Sequence, residues 1–347
     1  MCLFDLDCSA VFSGISPFNG MISPAYKLLT CKNITEPKFA DYWFRYISDG
    51  RKFNHYAKNI RYTLNYEDFS SLPILLPSVQ EQKHIADYLD DKCGKIDAII
   101  AREQVVIEKL KAYKLAVITE MVTKGLNPDV PMKDSGIEWS GKVPEHWKVI
   151  RLKFLLTQII DCPHETPIYS NDGIYYVIRT ADQDLGFLRP DENMYRLDQT
   201  EYENRIRRMS VDKDDIVYGR EGERWGLACL VPESDKYCLG QRMMQFRCDE
   251  TAFLPTFAVW SLNSQYVYHQ GSVDTIGSTS PHVNISTMRN YSIPIPPINE
   301  QKYIAQMLST KCKQIDILIS KKQIMIDKLT EYKKSLIYEV VTGKKEV

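Results

Sequence analysis

Apolar positions along the chain fall into two regimes, and the clearer one is helical. Between Gln80 and Thr123 there is no proline and a single glycine, Gly94, so the stretch predicts one helix of about 65 Å. Placing Leu89, Ile96, Leu110 and Val117 at heptad position d puts Cys93, Ile100, Ile107 and Met121 at a. That is an apolar seam suited to coiled-coil packing. Lys124-Gly125-Leu-Asn-Pro128 supplies a glycine and then a proline as the stop. Leu308, Cys312, Ile315, Ile319, Ile326, Leu329, Leu336 and Val340 draw the same seam near the other end of the chain.

The two seams are copies. An offset of 219 carries Lys83 onto Lys302 and aligns 77–123 with 296–342 without a gap, and 22 of 47 aligned positions are identical. Such self-similarity marks a duplicated structural unit. A lone helix would leave its seam wet, so each helix is expected to bury the other, antiparallel about a pseudo-twofold. Glu103 and Lys322 break the seam at equivalent d positions near the two midpoints. Antiparallel packing would join these opposite charges; otherwise both would snorkel to solvent.

Ahead of each helix runs a segment of mixed strand and turn character, rich in tyrosine, glycine and proline. Phe39-Ala-Asp-Tyr-Trp-Phe-Arg-Tyr and Phe257-Ala-Val-Trp-Ser-Leu open equivalent stretches, at an offset of 218. The expected organisation is therefore an incomplete first globular region over 1–76, a long helix over 77–124, and a linker over 125–131. A complete second region over 132–295 and a second long helix over 296–347 follow. Extrapolating the repeat backwards, the first region is expected to lack about 88 residues at its N-terminal side relative to a full two-unit protein.

Composition narrows the function. With 44% hydrophobic and 26% charged residues the chain is ordinary globular material, and its net charge of −1 gives no global attraction for a polyanion. Any DNA binding must be local or shared with partners. No apolar run reaches the ~18 residues of a spanning helix and residues 1–23 lack secretory-signal character, so the expected location is cytoplasmic, away from membranes. The nine cysteines show no Cys-x-x-Cys pair, which predicts reduced thiols. Cys162-Pro163-His164 lacks the partner pair a zinc site needs, so no metal site is expected. An adenine-modification motif of the Asn/Asp-Pro-Pro-aromatic kind and a phosphate-binding Gly-x-x-x-x-Gly-Lys-Ser/Thr loop are both missing from the sequence. The chain is thus expected to carry no catalytic site.

Met132-Lys-Asp-Ser-Gly-Ile-Glu-Trp-Ser-Gly-Lys-Val-Pro-Glu-His-Trp147 resembles the opening of a target-recognition domain in specificity subunits of Type I restriction-modification enzymes. Together with the repeated Pro-x-x-x-Glu-Gln helix, the resemblance covers nearly the whole chain. It implies an α+β fold in which target-recognition domains of mixed strands and short helices are joined by two long antiparallel coiled-coil helices. The implied function is to bind a target sequence in double-stranded DNA and direct partner modification (methyltransferase) subunits and a restriction/translocase subunit to it. S-adenosylmethionine, ATP and magnesium would then be held by the partners and none by this chain. Two other readings stay open: a silent or truncated specificity-gene fragment serving as a recombination cassette, and a half-subunit acting as a homodimer.

Asp161-Cys-Pro-His-Glu-Thr-Pro167, Val177-Ile-Arg-Thr180, Asp215-Ile-Val-Tyr-Gly-Arg-Glu221 and Leu239-Gly-Gln-Arg242 look like recurring segments of one subclass of recognition domain. Arginine fits guanine O6/N7 with two hydrogen bonds and glutamine can pair with adenine. The candidate DNA contacts are therefore Arg179, Arg220, Gln241 and Arg242, with Ser278, Thr279, His282 and Asn284 from a second loop. Each has a structural alternative, an internal salt bridge or a plain turn. After Arg220-Glu221 the chain departs from the subclass, with Gly222-Glu-Arg-Trp-Gly226 where a short Ala-Pro turn is usual, so target bases do not carry over. Arg205, Arg207 and Arg208 either grip phosphate or form a solvated helix face. Trp139, Pro144 and Trp147 are expected to anchor the domain edge. The helix-packing set is Leu89, Ile96, Ile100, Glu103, Ile107 and Leu110 with Ile315, Ile319, Lys322, Ile326 and Leu329.

Overall fold

The computed structural model describes residues 2–5, 13–23, 26–49, 70, 72–137, 141–189, 191–274 and 281–347. In chain order the elements begin with β1 (Cys2–Asp5), β2 (Ser13–Ile15), β3 (Tyr26–Leu29), α1 (Pro37–Ser48) and the long α2 (Val79–Lys124). Then come β4 (Met132–Asp134), β5 (Lys142–Pro144), β6 (Lys148–Arg151), β7 (Leu156–Asp161), β8 (Tyr175–Ile178), β9 (Gly186–Phe187) and β10 (Tyr195–Leu197). After α3 (Gln199–Arg205) the strands are β11 (Ile216–Gly219), β12 (Ala228–Leu230), β13 (Tyr237–Leu239) and β14 (Met243–Cys248). The chain closes with α4 (Pro255–Leu262), α5 (Gln265–Val273), α6 (Ile285–Arg289), β15 (Ser292–Ile295) and the long α7 (Ile298–Val341). This is the α+β mixture of strands, short helices and two long helices that the sequence implies. The second long helix stops at Val341, and residues 342–347 lie past it.

Contacts divide the chain into two compact units, Met1–Glu108 with Leu318–Val347, and Lys109–Ile317. The cuts fall inside α2 and α7, so each long helix contributes to both. In the first unit α1 starts on Pro37, whose fixed φ suits the first helical turn. Its Phe39 and Tyr42 pack with Ile85, Leu89, Cys93 and Ile96 of α2 and with Leu336, Ile337, Val340 and Val341 of α7. Ile100 and Leu329 lie half-buried against that cluster, and Ile107 and Ile326 are buried. The helices run antiparallel here: Lys333 Nζ lies 2.7 Å from Asp97 and Lys322 Nζ lies 2.8 Å from Glu103 Oε2.

In the second unit a five-stranded sheet of order β7-β14-β11-β12-β9 carries two cores, one on each face. Strand periodicity explains why. Along β11, Ile216 and Tyr218 face the cluster that includes Phe253, Phe257 and Trp260, while Val217 faces Ile178, Tyr237 and Leu239 of the small sheet β10-β8-β13. Met244 and Met243 of β14 divide the same way. The sheet is antiparallel except where β9 joins β12, and β13 lies parallel to β8. In this unit Ile315 is buried, Leu110 half-buried, and Lys114 Nζ reaches Asp316 at 2.7 Å. The offset of 219 that carries Asp97 onto Asp316 also carries Lys114 onto Lys333, so the two ion pairs are equivalent under the repeat.

The repeated Glu-Gln motif has one mechanical role in each unit. Gln301, fully buried, donates to Ala252 O (2.8 Å) and Pro296 O (3.0 Å) and accepts from Leu254 N (2.9 Å). Gln82, also fully buried, donates to Ile34 O (3.0 Å) and Pro77 O (2.8 Å) and accepts from Glu36 N (2.7 Å). Leu254 and Glu36 are the N-cap residues of α4 and α1. Each glutamine therefore ties the first turn of a long helix to the start of the short proline-initiated helix packed on it.

Candidate nucleic-acid interface

Antiparallel pairing brings the ends of three strands of the large sheet to one edge. Asp161 at the end of β7 lies opposite Met244, and Gly219 at the end of β11 lies opposite Met243. Backbone hydrogen bonds then lace four segments together there: Cys162 N to Met243 O (3.1 Å), Arg220 N to Arg242 O (2.9 Å), Gly222 N to Pro281 O (2.9 Å) and Val283 N to Arg220 O (3.2 Å). Residues that the sequence offered from separate motifs, Arg220, Gln241, Arg242 and His282, thus sit on one patch of backbone. Asn284 follows as the exposed N-cap of α6. Ser278 and Thr279 lie outside the described residues.

The arginines differ in what they are free to do. Arg179 is spent internally: its Nε and Nη2 hold the two oxygens of Asp182 at 2.8 and 2.7 Å, and its guanidinium stacks 3.8 Å over the Tyr195 ring. The hydrogen bonds to Asp182 raise its already high pKa. The fork that would read a guanine is filled, and the expectation for Arg179 changes to a structural one. Arg220 is 12% exposed and lies between Asp161 (3.5 Å) and Glu221. Gln241 is exposed, yet its amide nitrogen holds His164 O (3.2 Å) and Thr166 Oγ1 (3.1 Å). Arg242 is exposed, and its guanidinium makes no hydrogen bond or ion pair among the described residues.

Arg205 also departs from the phosphate-gripping expectation. It is 8% exposed and donates to the carbonyls of Glu165 (2.9 Å), Pro163 (3.4 Å) and Leu239 (2.7 Å). It pins the loop after β7 to the end of β13. The signal was available: Tyr202 and Arg205, three apart on α3, are that helix's buried residues. Arg207 and Arg208 are exposed beyond the helix end. Lys114 was missed as well, an a-position lysine that is buried against Asp316. At the start of the domain, Trp147 is fully buried and donates Nε1 to Glu300 Oε2 at 3.2 Å, beside His146 at 2.9 Å. Pro144 is buried, and Trp139 lies outside the described residues.

Among the described residues no cluster of histidine, cysteine and carboxylate side chains is arranged to hold a metal ion. Likewise, no described helix is long and apolar enough to cross a membrane. Burial pushes the Cys162 thiol beneath the patch upward from its ordinary value. The edge thus holds the carboxylates of Asp161 and Glu221 taken up by Arg220, with the exposed side chains of Gln241 and Arg242 beside them on fixed backbone.

The chain is 26% identical over 281 residues to the MjaVIII specificity subunit, a Type I restriction enzyme component of Methanocaldococcus jannaschii; the match covers 80% of this chain and 63% of the relative. It is 25% identical over 247 residues to the EcoBI specificity subunit of Escherichia coli, covering 67% of this chain and 49% of that one. The chain therefore spans about half to two thirds of the length of these relatives. In fold it is similar to a solved chain of a type I R-M system, with a TM-score of 0.70 at 13% identity, covering 98% of this chain and 81% of the other. Residues 144–327, more than half of the chain and including every candidate contact, match the Type I restriction modification DNA specificity domain, and the chain belongs to that family.

Proposed function

We propose that this chain is the DNA-sequence-specificity subunit of a Type I restriction-modification system. It binds a target sequence in double-stranded DNA and directs modification and restriction/translocase subunits to it, while carrying out no chemistry itself. The observation that carries this reading is the exposed guanidinium of Arg242, without a partner among the described residues, on the laced sheet edge that also holds Arg220, Gln241 and His282. Base reading needs donors and acceptors held in register by the scaffold. A net charge of −1 fits a reader that borrows positive surface from its partners. S-adenosylmethionine, ATP and magnesium belong to those partners in this scheme.

The test is co-expression of the full chain with modification subunits of a Type I system from the same source, followed by mapping of methylated adenines on a plasmid library at fixed salt. The expected result is methylation at one defined motif, lost when this chain is omitted. Methylation without sequence preference, or independent of this chain, would overturn the reading.

A further inference from the structure

Of the arginines at the sheet edge, one combines a fixed root with a free end. Arg242 has φ +69°, the left-handed region that glycine favours. The other described non-glycine residues with positive φ are aspartates, Asp214 and Asp235, a residue type that tolerates this conformation in turns. The strain at Arg242 is held by its surroundings. Gly240 N binds Ile178 O (2.8 Å), Arg242 O accepts from Arg220 N (2.9 Å), and Met243 O accepts from Cys162 N (3.1 Å). Gln241, just before it, is anchored to the 164–166 loop through its side chain. Backbone held away from its relaxed conformation by this many bonds, at a binding patch, points to a side chain that must leave the surface in one direction.

The far end of the side chain has no hydrogen-bond or ion-pair partner among the described residues. Arg242 Nη1 passes over Gly222, where a Cβ would lie 3.5 Å away and where φ is +85°. Its neighbours Arg179, Arg205 and Arg220 are all engaged by carboxylates or carbonyls. A planar fork with neither edge paired among the described residues matches the two acceptors, O6 and N7, that guanine shows in the major groove. A phosphate contact would not require a strained root, because a flexible lysine or an arginine on relaxed backbone reaches phosphate equally well.

We infer that Arg242 is a specificity-determining residue that reads one guanine of the target. This rests on the recognition function proposed above and deepens it. The side chain projects as a single probe from the β13–β14 turn, with Gln241 as its positioning residue.

The experiment is selection of a randomised double-stranded DNA library by the full chain in complex with its modification subunits, repeated with Arg242→Gly and Arg242→Lys. Glycine keeps the left-handed backbone, so Arg242→Gly should melt at or above the wild-type temperature. Lysine keeps the charge and loses the fork. The expected result for both variants is loss of preference at one guanine, on the order of 10- to 100-fold there, with other positions and the salt slope unchanged. Uniform weakening across all sequences by Arg242→Gly, with a salt slope smaller by about one and full rescue by Arg242→Lys, would mark a phosphate contact and overturn the assignment. An unchanged motif would overturn it too. A wild-type complex that selects no motif would instead sink the recognition reading on which the assignment stands.

Discussion

Replacing Gln301 with leucine keeps the side chain's approximate volume and removes three hydrogen bonds at once. The lost partners are the carbonyls of Ala252 and Pro296 and the amide of Leu254, at 2.8, 3.0 and 2.9 Å from a fully buried side chain. At about 1 kcal/mol net per bond the loss is about 3 kcal/mol, rising towards 5 if the orphaned groups stay dry. The cost falls on the unit Lys109–Ile317, because α7 loses its tie to the start of α4. Urea unfolding followed by fluorescence of Trp147, Trp225 and Trp260 in this unit should show a midpoint lower by about 1 M for an m-value near 3 kcal/mol/M. Gln82→Leu should act similarly on the other unit, through Ile34, Glu36 and Pro77. A Gln301→Leu midpoint within about 0.2 M of wild type would refute the claim that the repeated glutamine ties helix to helix.

Other expectations come from the same contacts. Glu103→Lys, which sets two ammonium groups against each other in place of a 2.8 Å ion pair, should lower stability by about 1 kcal/mol. Lys322 is partly exposed, which keeps the figure small, and a Lys322→Glu partner change should restore the loss in a double-mutant cycle. Arg205→Ala should free the carbonyls of Pro163, Glu165 and Leu239 and raise hydrogen exchange by about tenfold or more in peptides covering 163–168, while exchange in β11 stays unchanged. Alkaline titration should destabilise the fold. Burial holds the thiols of Cys229 and Cys238 at about 12 against an ordinary 9.0, and the hydroxyl of Tyr291 at about 12 against 10.0. A raised folded pKa gives stability that is complete below the unfolded value and is lost as pH climbs towards the folded one. Melting temperature should therefore fall between about pH 9 and 12, and Cys229→Ala with Cys238→Ala should flatten that fall.

What the sequence made legible was whatever a one-dimensional period can carry. The two long helices followed from the heptad seam and the repeat, and the equivalence of Glu103 and Lys322 led to their contact because antiparallel pairing turns an offset into a neighbour. The same arithmetic was enough to find Asp97 with Lys333 and Lys114 with Asp316, had the lysines at a positions been weighed beside the apolar ones. Sheet order was not legible, since the parallel joins of β9 to β12 and β13 to β8 depend on crossovers that leave no local trace. The motifs lie on segments that the fold brings to one sheet edge, but they do not rank their arginines, because the decisive quantity is whether a guanidinium already has a partner. For Arg179 the partner is three residues away, at Asp182, and Arg-x-x-Asp at a strand end was a readable warning. For Arg205 the partners are carbonyls up to 42 residues away, and Arg242 is set apart by a backbone angle together with a guanidinium unpaired among the described residues. A recognition surface is built from side chains that the fold has left unsatisfied, and that property exists only once every other contact has been made.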